Sequence, residues 1–242
     1  MISTVFAGVG FLTIVPMRGR IGRASFAAFP LLGATIGALL GVLWMVSSAH
    51  MSRLGAGAVV VVADAIITGA LHLDAIADCG DGLIAHLDRP DRLRVMADPH
   101  LGAFGAVALL MVELSRYAAL ASTPAKFVVL LVGYGISRSV MAAVALYLPA
   151  AKQGSIISAF GGSRQASLGV AIAVALSVQL GILVVAGDIF LGWQFLLALG
   201  VGILASGALL ARSYFALGGV TGDVVGASGM VFEVAFLLAL LR

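Results

Sequence analysis

The sequence predicts an all-α, polytopic membrane bundle, and three observations carry that prediction. Of the 242 residues, 62% are hydrophobic and 10% charged, with a mean hydropathy of +1.15. A soluble domain is about 45–50% apolar and about 25% charged. The apolar runs approach the roughly 20 residues that a crossing helix needs. None of them alternates in polarity over about ten residues, as barrel strands do. The 31 glycines are scattered through these runs without a period, which suits helices whose backbones approach closely in lipid.

Taken in order, Ile2–Val15 is short for a crossing and ends at Pro16, so it reads as an N-terminal half-helix, re-entrant or interfacial. Spans are expected at Phe26–Val46, Leu54–Leu71, Leu101–Ala121, Phe127–Leu148, Leu168–Ala186, Ile189–Ala211 and Val224–Leu241, about seven in all. No cleavable leader is expected, because no basic residue precedes the first apolar run, and Arg18, Arg20 and Arg23 follow it. One membrane domain covers residues 1–242, with an acidic segment at 72–100. The single cysteine, Cys79, excludes an intramolecular disulfide and reads as a small apolar filler. A net charge of +3 is too small to suggest nucleic acid.

Basic residues set an orientation. Alternating from residues 16–25, one side collects Arg18, Arg20, Arg23, Arg89, Arg92, Arg94, Lys152, Arg164 and Arg212. The other side holds Arg53, Lys126 and Arg242. This bias makes the first side cytoplasmic. The same side carries residues 74–98, the 149–166 loop and the turn at 218–223. RPDRLRVM within it reads as a short amphipathic helix near the headgroups, with Pro90 in its first turn. Chemistry at one membrane face is favoured over a path through the bilayer.

The run LHLDAIADCGDGL places Asp74, Asp78 and Asp81 at i, i+4 and i+7. On a regular helix these fall within an arc of roughly 60°. Three carboxylates so close repel one another, and a divalent cation relieves them. Mg²⁺ takes carboxylate oxygens and commonly bridges protein acids to phosphates. Gly80 and Gly82 warn that the helix loosens around Asp81. The turn GGVTGDVVGAS offers Thr221, Gly222 and Asp223 before the last span, either as a helix cap or as a phosphate cradle. DPHLGAFG puts Asp98 and His100 at the start of another span. His72 lies on the opposite side of its helix from the three aspartates and reads as a packing residue. Within the spans, Glu113 and Arg116 are spaced to pair, Asp64 is matched with Arg138, and Arg138 is also a candidate for phosphate. Lys152 in the 149–166 loop is a further candidate for anions.

These motifs resemble a known family. GALHLDAIADCGDGL is similar to the acidic signature of the cobalamin synthases, the adenosylcobinamide-GDP ribazoletransferases. FLTIVP, FPLLGATIGALLG, DRLRVMADPHLGAFG, SRSVMAAVALYLPAAKQGS and GGVTGDVVGAS follow in the family's order, so the resemblance covers nearly the whole chain. Ala75, Ile76, Cys79 and Gly80 depart from the usual spacers, and Gly229–Phe232 replaces a more polar string, although Glu233 keeps its acid. The resemblance implies a Mg²⁺-dependent transfer that joins α-ribazole, or its 5′-phosphate, to adenosylcobinamide-GDP with release of GMP. It implies a multi-pass protein of a prokaryotic inner membrane with its site facing the cytoplasm; a homo-oligomer is compatible. Asp74, Asp78, Asp81 and Asp98 would carry the chemistry, with Asp74, Asp78, Asp81 and Asp223 on the metal. His100, Arg92, Arg138, Lys152, Thr221 and Gly222 would bind substrate. Two rivals share part of the pattern. A CDP-alcohol-type phosphotransferase carries D-G-x-x-A-R, whereas here Asp78 is followed by Cys79 and no arginine occupies the expected place. A cation transporter would place its acids near the midplane of repeated halves.

Overall fold

The computed structural model describes residues 2–17, 21–122, 127–155, 157–158 and 192–241. Within them the chain forms ten α-helices and one π-helical turn, and no strand. The helices are α1 (Ile2–Leu12), α2 (Arg23–Phe26), α3 (Phe29–His50), α4 (Arg53–Thr68), α5 (Leu71–Cys79), α6 (Arg89–Val95), α7 (Ala103–Ser122), α8 (Phe127–Tyr147), α9 (Gly192–Leu217) and α10 (Gly222–Ala239). The π turn, Gly80–Ile84, follows α5 directly. Five helices are long and apolar enough to cross a membrane: α3 extended back to Ala24, α7, α8, α9 and α10. The expected span at Leu168–Ala186 lies outside the described residues, as does Arg164.

The expected span at Leu54–Leu71 takes a different form. Helix α4 ends at Thr68, and the chain bends by 92° into α5 and the π turn. Two successive residues in the left-handed region make the corner, Gly69 at φ 60° and Ala70 at φ 57°. Their amides donate back to the carbonyls of Ile66 and Ala65 and close the end of α4. A Cβ at Gly69 would stand 2.8 Å from Ile14, so the corner is seated against the segment after α1. Helix α5 therefore runs across the end of α4 instead of continuing it, and the bent pair together makes at most one broken or re-entrant span.

Polarity is inverted relative to a soluble protein. Leu204, Phe215, Trp193 and Met111 are exposed, while Arg116, Arg138, Asp64 and Glu233 are buried. Apolar side chains facing outward suit lipid, and charged groups inside must find one another. They do so around Arg116. Its guanidinium reaches Asp64 of α4 at 2.7 Å, Glu113 of its own helix at 2.8 Å, Tyr134 of α8 at 2.7 Å and Glu233 of α10 at 3.2 Å. Arg138 pairs with Glu233 at 2.7 Å and lies 4.7 Å from the Tyr134 ring centroid. The Glu113–Arg116 pairing expected from spacing is present. Asp64, in contrast, is hydrogen-bonded by Arg116 and not by Arg138, which contacts that spacing on one helix cannot reveal.

Helices α3 and α8 meet through Gly33, Gly37 and Gly41, one small residue per turn. A Cβ at Gly37 would strike the Leu130 carbonyl, and one at Gly33 would stand 2.9 Å from Arg138 Cβ. Close approach of this kind is the main attraction between helices in lipid. Gly37→Leu should force the pair apart and lower stability by about 1–3 kcal/mol. Denaturant-induced unfolding of the detergent-solubilised protein would measure it, and an unchanged midpoint would argue against the tight interface.

Candidate active site

The polar segments after α5, α8 and α9 converge on one end of the bundle. Ala150 and Val220 form an isolated parallel bridge: the Ala151 amide donates to Val220 and the Val220 amide to Pro149, both at 2.9 Å. Arg89 of α6 donates to the Ala151 carbonyl at 2.8 Å, tying the amphipathic helix to the same cluster. Helix α6 forms as the sequence predicts, with Asp88 as its N-cap and Pro90 in its first turn.

Asp74 and Asp78 lie one turn apart on α5, and both line an open groove completed by Met96, Ala97, Asp98, Pro99, His100 and Leu101. Burial pushes the Asp78 carboxyl up to about 7, and the charges of Asp223, Asp74 and Asp81 add to the rise. Asp78 thus stands in a negative field that favours a proton or a cation. Asp98 behaves differently. Its Oδ1 accepts from the His100 amide at 2.9 Å and lies 2.6 Å from His100 Nδ1. Those bonds hold the Asp98 carboxyl below the usual carboxylate range, so it stays ionised. Arg94 and Lys152 line the adjoining hollow with Asp98 and His100, which brings two cations to the rim of an acidic groove.

Asp81 is placed otherwise than a straight helix predicts. The π turn shifts the register after Cys79. Asp81 then accepts the amide hydrogens of Gly102 and Gly105, each at 2.8 Å, and holds the start of α7. It remains near enough to add to the field at Asp78, but both its oxygens are engaged. Gly80 and Gly105 permit this approach: a Cβ on Gly80 would lie 2.9 Å from the Gly105 Cα. The i+7 spacing is therefore not a third carboxylate on one face. Asp223, from the first turn of α10, supplies the further acid beside Asp74, and the two line a common hollow.

The remaining sequence candidates divide by burial. Thr221 caps α10 by accepting the Val224 amide at 3.2 Å, and its hydroxyl donates to Asp223 at 3.2 Å. Gly222 has open space where a Cβ would be. Arg92 is buried and donates to the Gly82 carbonyl at 2.6 Å, so it braces the π turn. Arg138 is buried among Glu233, Ser137 and Tyr134, away from the groove. His72, read from the sequence as a packing residue, is indeed in the interior. It is buried with neither ring nitrogen hydrogen-bonded, and burial, with the charge of Arg138, pushes its imidazole down to about 3. Among the described residues no three acidic, histidine or cysteine side chains stand close enough to form a ready metal cage.

Comparison with known proteins decides the family. Residues 4–241 match the family model described as cobalamin-5-phosphate synthase. The chain belongs to that family. Among curated members, it is 34% identical to the adenosylcobinamide-GDP ribazoletransferase of Chlorobium phaeovibrioides, over 99% of this chain and 97% of the relative. The proteins of the same name from Geotalea daltonii and Sinorhizobium medicae are also 34% identical, over 99% and 98% of this chain and 97% and 95% of theirs. No solved structure matches the chain. The cobalamin-5-phosphate synthase family thus takes in every polar segment that builds this end of the bundle.

Proposed function

We propose that the chain is an adenosylcobinamide-GDP ribazoletransferase whose reaction takes place in the groove between α5 and the start of α7. The carrying observation is the convergence of Asp74 and Asp78 with the Asp98–His100 pair in one groove, with Asp223 in the hollow that Asp74 shares and Lys152 in the hollow that Asp98 and His100 share. A hydroxyl of ribazole, or of its 5′-phosphate, attacks the diphosphate phosphorus that bears the cobinamide. The new P–O bond replaces the one to GMP, and GMP leaves. Asp98, ionised and beside His100, is positioned to accept the hydroxyl proton. Lys152 and Arg94 draw the diphosphate to the rim, and the amides at the start of α10 suit one of its phosphates.

The donor set at Asp74, Asp78 and Asp223 fits Mg²⁺, which takes one or two carboxylates and completes its shell with water and phosphate oxygens. A cage of three protein ligands is therefore not required. When bound, the ion would neutralise charge on the diphosphate. The positive-inside distribution of arginines supports a cytoplasmic site, and the bacterial sources of the relatives support a prokaryotic membrane.

The experiment supplies the protein in nanodiscs with adenosylcobinamide-GDP, ribazole and Mg²⁺, and measures GMP. Release that stops with EDTA is expected; no release would overturn the assignment, and a transporter or a CDP-alcohol enzyme would give none. The raised Asp78 carboxyl sets a pH dependence. It is protonated below about 7, so a cation must displace a proton there. Apparent Mg²⁺ affinity should fall by about tenfold for each pH unit below 7. A titration showing equal affinity at pH 6 and pH 8 would contradict this.

A further inference from the structure

Behind the acidic groove lies a second hollow of about 170 Å³, enclosed by Phe11 of α1, Phe26 of α2, His72 of α5, Met141 of α8 and Val225 of α10. Asp74 lines both the groove and the hollow, and Asp223 joins it at the hollow, so the two spaces adjoin at the acids. Among the described residues the other walls are apolar, and no lysine or arginine is among them. Of the described side chains there, a phosphate would meet two carboxylates and no cation. The volume is close to that of an apolar cavity of about 150 Å³ that accepts benzene in another protein. It fits a flat ring and is far too small for a corrin.

The wall contains one unmatched polar group. His72 is 2% exposed, and neither Nδ1 nor Nε2 has a hydrogen-bond partner. A buried polar group left unpaired is costly, and a ligand that pairs it recovers that cost. An imidazole offers one N–H donor and one acceptor nitrogen. An apolar heteroaromatic ring with one unsubstituted nitrogen matches both the walls and this donor.

Resting on the transfer proposed above, we propose that this hollow seats the benzimidazole base of ribazole, with His72 hydrogen-bonding the base's free ring nitrogen. The ribose then lies toward Asp74 and Asp223, at the mouth where the hydroxyl meets the diphosphate. His72 is thus a positioning residue that selects the nucleoside substrate.

The test measures GMP release in nanodiscs with each substrate varied in turn. His72→Leu should raise the KM for ribazole about tenfold while moving the KM for adenosylcobinamide-GDP far less. Equal rises in both, or a loss confined to kcat, would overturn the proposal. A second measurement needs no variant. In the unaltered protein a dimethylindole riboside, which keeps the bicyclic ring but carries C–H in place of the free nitrogen, should have a KM about tenfold above that of ribazole, and free dimethylbenzimidazole should compete with ribazole but not with the corrinoid. Equal KM values, or competition with the corrinoid, would count against it. Complete lack of GMP from the unaltered protein would sink the transfer itself. Equilibrium dialysis would still show whether the free base is retained and whether His72→Leu releases it.

Discussion

Alanine at Asp74 or at Asp78 should abolish GMP release, by about a thousandfold or more, while the protein still inserts and unfolds at its usual temperature. The magnitude follows from removing a group that acts on transition-state charge in a site of few donors. The stability half follows from placement. Asp74 is exposed and Asp78 half-buried, and the pair sits on a helix that also packs through Ala75, Ile76 and Cys79. Removing either acid relieves repulsion instead of breaking a contact. Asp81→Asn provides the contrast. It weakens the hold of Asp81 on the Gly102 and Gly105 amides, so its effect should reach stability as well as turnover. Full activity in Asp74→Ala or Asp78→Ala would remove the basis of the proposed site.

The second large effect is on the interior. Arg116→Met should destabilise the protein by about 3–5 kcal/mol, because Asp64, Glu113 and Glu233 would lose the guanidinium they share. Three acids would then face Arg138 alone. Arg116→Lys should recover little, since one ammonium cannot reproduce the fork that touches Asp64, Glu113, Tyr134 and Glu233 together. Thermal unfolding followed by fluorescence-detected size exclusion would measure both. A midpoint within a degree of the unaltered protein would show that the network contributes nothing. Replacing the whole set by apolar residues is a different experiment and need not destabilise.

Much of this architecture was legible in composition and spacing. Hydropathy marked the long helices, because lipid requires about 20 apolar residues whatever their partners. The Asp74–Asp78 pair was legible because four residues are one helical turn. The corner at Gly69–Ala70 was not, since alanine carries no signal for the left-handed region and it is held there by the bond of its amide to the Ala65 carbonyl of α4. Nor was the displacement of Asp81. Gly80 and Gly82 announced a weakness in the helix, but the π turn is set by amides 21 and 24 residues further on. Asp64 found Arg116 across 52 residues, a choice made by helix packing. Asp223 joined Asp74 for the same reason, since α10 packs on α5.

The shared guanidinium also has a consequence for the order in which the protein is made. Asp64, Glu113, Arg116 and Arg138 leave the ribosome before α10, and Glu233 is the last of the network to arrive. Until it does, Arg138 lacks its carboxylate partner at membrane depth. The early helices are therefore held together provisionally, and arrival of the final helix completes the charge pairing. A chain that ends short of residue 233 therefore leaves Arg138 without the carboxylate it pairs with in the finished bundle.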